Sequence, residues 1–103
     1  MDKYLSPKLI LCDDNVLEYF CPGCMMLHPV TILKRNSVGA IWQWDGDVLT
    51  PTLSPSVLVV LGNNPRRVCH AFVQAGKINF LDDCSHDLKG QIVDLPDIPE
   101  DWL

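Results

Sequence analysis

Apolar and polar residues alternate over short stretches of this chain at the two-residue period of β-strands, and no long stretch holds the period of a helix. Residues 8–12 form an apolar run that stops at Asp13-Asp14-Asn15, a turn signal, and residues 16–20 follow as its hairpin partner. Residues 30–34 predict a return strand, 36–39 a turn, and 40–44 an alternating strand that ends at Asp45-Gly46, a strong hairpin signal. The 51–55 stretch is different: a proline at each end removes a ladder donor, so it predicts an extended, rigid crossing segment whose hydroxyls bond locally. Residues 56–61 resume as a strand, stopped by Gly62-Asn63-Asn64-Pro65, and residues 68–74 and 77–81 pair around Ala75-Gly76. Residues 85–90 suit one helical turn, capped by Ser85 and closed by Gly90. Beyond it Pro96, Pro99 and Trp102 predict a coil packed by its apolar residues. The pattern predicts an all-β chain of about seven short strands, folded as a small antiparallel sandwich or barrel.

At 103 residues the chain makes one domain, 1–103, with no room for a second. Hydrophobic residues at 48% supply a core, but a marginal one, so a metal cross-link would matter to stability. The net charge of −5 argues against nucleic acid or an anionic membrane as a partner, since either needs a basic face. Seven of the 13 acidic residues lie after Leu81, opposed there only by Lys89. That end is either a solvated surface or a docking face for a basic protein partner. No signal peptide is visible, because the apolar run at 9–11 is too short and leads into Asp13-Asp14. No apolar run approaches the roughly 20 residues of a transmembrane helix. These features predict a cytoplasmic protein, where five cysteines are ligands or free thiols rather than disulfides.

The cysteines then organise the chain. Cys21-Pro22-Gly23-Cys24 is half of a metal site: C-x-x-C supplies two adjacent corners of a tetrahedron. Proline fixes φ, and glycine tolerates the left-handed conformation that turns backbone N–H groups toward a thiolate. The other half must come from Cys69-His70 and Cys84-Ser85-His86, with His28 as a local alternative or else a surface residue at the start of the return strand. In a strand Cys69 and His70 point to opposite faces, so one can serve a metal and the other is free. The preferred ligands are Cys21, Cys24, Cys69 and Cys84, with His86 replacing Cys69 as the main variant. Tetrahedral thiolate and imidazole donors indicate zinc. There is no ferredoxin run for an iron–sulfur cluster, and no helix start for a thioredoxin-type dithiol. Cys12 is the spare thiol, and Trp42 and Trp44, at alternate positions, predict core residues of one sheet face.

Several motifs stand together in order: Phe20-Cys21-Pro22-Gly23-Cys24 with His28, Trp42-Gln43-Trp44-Asp45-Gly46, Pro51-Thr52-Leu53-Ser54-Pro55-Ser56, Cys69-His70-Ala71-Phe72, and Phe80-Leu81-Asp82-Asp83-Cys84-Ser85-His86 running on through Gly90 to Asp94-Leu95-Pro96. This order resembles a family of small phage and bacterial proteins that often carry the label ammonia monooxygenase, a label nothing in these residues supports. The resemblance spans residues 20–96 and implies a zinc site and the cytoplasm of a bacterial host. More distantly, the chain is similar to proteins of bacterial operons for ubiquitin-like protein conjugation. Those relatives imply a peptidase role and share a Pro-Ser followed by a histidine in the next strand, which here are Ser56 and His70. A serine becomes a nucleophile when a base lies within hydrogen-bond reach and a third group orients that base. Cross-strand adjacency makes Ser56 and His70 such a catalytic pair, with Asp82 or Asp83 to orient the imidazole; otherwise Ser54 and Ser56 merely satisfy backbone groups in the crossing. Met25-Met26 departs from the glycine or polar residue expected after the knuckle.

Two functions follow as expectations. One is a zinc-stapled accessory module that docks on a protein partner through its acidic end and exposed apolar residues. The other is a small serine hydrolase acting on peptide or isopeptide bonds through Ser56 and His70.

Overall fold

The computed structural model describes residues 2–103. Among them the alternating stretches become ten strands, paired antiparallel in three sheets. The first sheet is a meander of β1 (Asp2–Ser6), β2 (Leu9–Cys12), β3 (Val16–Cys21) and β4 (Met26–Thr31). A short ladder of β5 (Gln43–Trp44) and β6 (Leu53–Ser54) follows. The second large sheet holds β7 (Val57–Leu61), β8 (Arg67–Gln74), β9 (Lys77–Phe80) and β10 (Ile92–Asp94), again in sequence order. No helix among these residues is long and apolar enough to cross a membrane.

The pleat explains the core. Successive side chains of a strand face opposite ways, so Leu17, Tyr19 and Cys21 of β3 point inward, as do Cys69, Ala71 and Val73 of β8. With Val30, Leu53, Val57, Ile78, Phe80 and Leu95 they form one buried cluster shared by the two large sheets. The other face of the first sheet is covered by the end of the chain. Ile98 packs with Ile10 and Phe20, the Phe20 and Trp102 rings meet at 5.8 Å, and the Ile98 N–H donates to the Pro7 carbonyl. The outer face of the second sheet has no such cover: Leu58, Val60 and Ile92 are exposed there.

The sandwich is the expected architecture, and neither sheet closes into a barrel. The differences are local. The return strand is Met26–Thr31 rather than 30–34, because it pairs with β3 directly after the knuckle, from Cys21↔Met26 to Val16↔Thr31. The 40–44 stretch keeps only Gln43–Trp44 as a strand, and Leu53–Ser54 forms its partner between Pro51 and Pro55. Residues 85–90 are turns rather than a helical turn, and the final coil contains β10 and a 3₁₀ turn at Glu100–Trp102. Trp42 and Trp44 are half-buried at the rim of the core and line an open cleft with Ile41 and Ser54. The left-handed residue after the knuckle is Met25 (φ 57°), at the place where a glycine or polar residue was expected. Gly23 is required for a different reason: a Cβ there would lie 2.3–2.6 Å from the His86 ring.

Gly76 closes the β8–β9 hairpin with φ 76°, and its N–H and C=O bond to Pro51 and Leu95. A Cβ on it would sit 2.9 Å from the Thr50 Cα, whereas one on Gly39 (φ 83°) would meet nothing within 4 Å. Gly39→Ala is therefore expected to cost about 1 kcal/mol from backbone strain alone, and Gly76→Ala at least about twice that, as measured by urea denaturation.

Candidate active site

Ser56 immediately precedes β7, and the β7–β8 register pairs Leu58 with His70. Ser56 and His70 are thus diagonal neighbours on one face of an antiparallel pair, close enough for side chains to meet. Ser56 Oγ lies 2.9 Å from His70 Nε2, and His70 Nδ1 lies 3.0 Å from Asp83 Oδ2. Of the two aspartates left open by sequence, Asp83 makes this bond, while Asp82 turns its carboxylate toward Gly90. A carboxylate can only accept, so in the neutral imidazole Nδ1 carries the proton and Nε2 accepts from the Ser56 hydroxyl. The His70 side chain is 26% exposed and Asp83 57%, so the group opens to solvent on the uncovered face of the second sheet.

Backbone contacts hold these side chains. The Trp42 indole N–H donates to the Ser56 carbonyl at 3.2 Å. The Leu81 N–H donates to the His70 carbonyl at 2.9 Å and the Cys84 N–H to the Leu81 carbonyl, which fixes the turn carrying Asp83 against β8. Cys84 adds a two-way clasp: its sulfur accepts from the His70 N–H and its thiol donates to the His70 carbonyl, each at 3.2 Å.

One residue earlier on β8, Cys69 faces the core and meets the cysteine knuckle. Cys21, Cys24, His28 and Cys69 offer ligand atoms that all lie within 4.8 Å of one another. The Cys21 and Cys69 sulfurs are 3.8 Å apart. A tetrahedral ion that holds thiolates at about 2.3 Å separates them by about 3.8 Å. His28 is buried against Tyr19, and its Nε2 has no hydrogen-bond partner among the described residues, an orphan that a ligand role removes. These four residues fit a metal ion.

Cys69 also belongs to a second group with Cys84 and His86. His86 Nε2 is 3.5 Å from the Cys69 sulfur, and its ring packs edge-on against Phe80 and over Gly23. The expected ligands thus split into two groups that share Cys69: Cys21 and Cys24 join it with His28, whereas Cys84 and His86 join it on the other side, so neither the preferred set with Cys84 nor the variant with His86 in place of Cys69 comes together. Cys12 stands apart, its thiol donating to Glu18 at 3.0 Å and its pKa pushed up to about 12 by burial.

The thiols are electrostatically linked. The hydrogen bond from Cys69 holds the Cys21 pKa down to about 4, with His28 and the Cys24 N–H adding to the effect. The same hydrogen bond raises Cys69, and burial beside Cys21 lifts Cys24 to about 11. A cation here would favour the thiolate form of all three, since ligation deprotonates a thiol outright.

Sequence reasoning reached Ser56, His70 and the cysteines but left three contributors undetermined. Asp83 could not be told from Asp82, the Cys84 clasp carries no spacing signature, and His28 looked the same as a surface histidine. Residues 2–81 match the family described as "Bacterial ubiquitination-like system serine protease (BubE)". The match contains Ser56 and His70 together with Cys21, Cys24, His28 and Cys69, and ends just before Asp83, Cys84 and His86. No curated protein and no solved structure matches the chain.

Elemental analysis of the purified protein is expected to find about one metal ion per chain, as a closed four-ligand structural site holds. Cys69→Ser should reduce it to a trace, and His28→Ala should lower it more than Cys12→Ser, which is expected to leave it unchanged.

Proposed function

The chain belongs to the BubE family of bacterial ubiquitination-like system serine proteases, and from that premise we propose that it is a serine peptidase cleaving a peptide or isopeptide bond with Ser56 as nucleophile. The observation that carries this reading is the continuous hydrogen-bonded chain Ser56–His70–Asp83, at 2.9 and 3.0 Å. Ser56 Oγ attacks the scissile carbonyl carbon as its proton passes to His70 Nε2. Asp83 accepts from Nδ1–H and stabilises the imidazolium that forms. The C–N bond then breaks, Nε2–H protonates the departing amine, and Ser56 is left acylated. A water molecule gives its proton to Nε2 and attacks the acyl carbon; the C–Oγ bond breaks as Nε2–H returns the proton to Ser56 Oγ, releasing the acid and the free serine.

We assign the thiol–imidazole cluster to zinc, with Cys21, Cys24, His28 and Cys69 as the holding set and His86 as the neighbour that covers it. Three sulfurs and an imidazole nitrogen are the soft, tetrahedral donor set that suits this ion. Bound there, zinc supplies a structural cross-link: its ligands face the core while Ser56 and His70 face out. Residues 1–103 then form one zinc-stabilised domain. The accessory-module reading is the weaker one, since three acidic residues of that end have partners within the chain. Asp83 bonds His70, Asp94 pairs with Lys77 at 2.6 Å and Asp97 with Lys8 at 3.4 Å. Membership in a ubiquitination-like system instead supports a protein as the partner, met as substrate.

A fluorophosphonate probe is expected to label the wild-type chain and not Ser56→Ala; equal labelling of both would sink the assignment. Asp83→Asn should lower kcat/KM by about 10²–10⁴-fold, through loss of the tautomer that leaves Nε2 able to accept.

A further inference from the structure

The second sheet ends at β7, and β7 lacks the protection that edge strands ordinarily carry. Natural edges are blunted by charge, proline, a bulge or a cover. β1, the first strand of the other large sheet, has Lys3 bonded to Asp14 and a register break between Tyr4 and Ser6. β10, the opposite edge of the second sheet, is three residues long and ends in Asp94. β7 reads Val57-Leu58-Val59-Val60-Leu61, with no charge, no proline and an unbroken register against β8. Among the described residues, 57–61 make no hydrogen bond beyond the β7–β8 ladder. Its edge N–H and C=O groups are therefore available to an incoming strand.

This edge begins one residue after Ser56. Leu58 and Val60 lie on the same face as Ser56 and His70 and are 55% and 42% exposed. On the opposite face Val59 and Leu61 line a cavity of about 270 Å³ that reaches Cys24 and His86. A strand laid beside β7 would thus find apolar contacts above and below it in alternation, which is the pattern an extended peptide presents.

We infer that β7 seats the substrate: an extended segment of the target protein, apolar at alternate positions, pairs with β7 as a fifth strand and carries the bond to be cut to Ser56 Oγ. The inference rests on the serine-peptidase reading for its direction toward Ser56. It identifies the occupant by main-chain pairing, with the alternate side chains selecting among sequences. Five residues of strand span about 17 Å, long enough to fix the register of the peptide relative to the nucleophile.

The test separates binding from cleavage. The full chain carrying Ser56→Ala is titrated with a fluorescein-labelled, capped decapeptide of alternating valine and glutamine. N-methylation of single peptide amides should weaken binding by about tenfold at every second position and leave the intervening positions unchanged, one lost hydrogen bond at a time. Leu58→Asp and Val60→Asp, both at exposed positions, should weaken it by at least as much without lowering Tm. No binding, no alternation on methylation, or an unchanged Kd in both variants overturns the inference. So does a dimer that Leu58→Asp dissociates with the peptide Kd unchanged, which would make the edge a contact between copies. If the probe labels Ser56 while peptide binding ignores β7, this inference alone fails; if the peptide pairs but Ser56 is never labelled, the peptidase reading fails and the edge remains a peptide site.

Discussion

Two sulfur atoms 3.8 Å apart, on Cys21 and Cys69, are the chemical junction of the two large sheets. They lie 48 residues apart in sequence, so any bond through them closes a long loop across the core. A chain of this size buries only a modest core, and a metal's binding energy counts as folding energy when the site exists only in the folded state. Around that junction the knuckle turn lies under His86 and β3 meets β8 in the core, while Ser56, His70 and Asp83 stand on the outer face of the second sheet.

The pleat of β8 divides the labour. Cys69 turns into the thiol cluster and His70, its neighbour, turns out to Ser56 and Asp83. Cys84 links the two sides. Its thiol grips the His70 backbone from both directions, yet its sulfur also lies among the ligand atoms around Cys69. The His70 backbone is thus held from below by Cys84, while Ser56 and Asp83 bond the two ring nitrogens from the outer side. Such support from packed, hydrogen-bonded neighbours is what holds reacting groups within a few tenths of an ångström.

Much of this was legible before any coordinates. Alternation found most of the strands, since a half-buried sheet imposes a period of two. The opposite orientation of Cys69 and His70 followed from the same period. What alternation cannot find is an edge strand that starts with a run of exposed residues: β1 begins Asp2-Lys3-Tyr4, all exposed, and carries little pattern. Nor does it locate pairings set by a tight turn, which is why β4 starts at Met26 rather than at the apolar Val30. Gly23 was read as a conformational glycine, yet its role is the space it leaves for a ring 63 residues away in the sequence. Asp83 and His28 are decided by three-dimensional approach, which no local spacing encodes.

The adjacency of Cys69 and His70 also bears on how such a protein can diverge. Loops can lengthen at modest entropic cost, but β8 has a fixed reading frame. One residue gained or lost between these two positions would turn one of them to the wrong side of the sheet. The inward Cys69 thiol and the outward His70 imidazole are therefore bound to a single step of the chain, and neither can change register without the other.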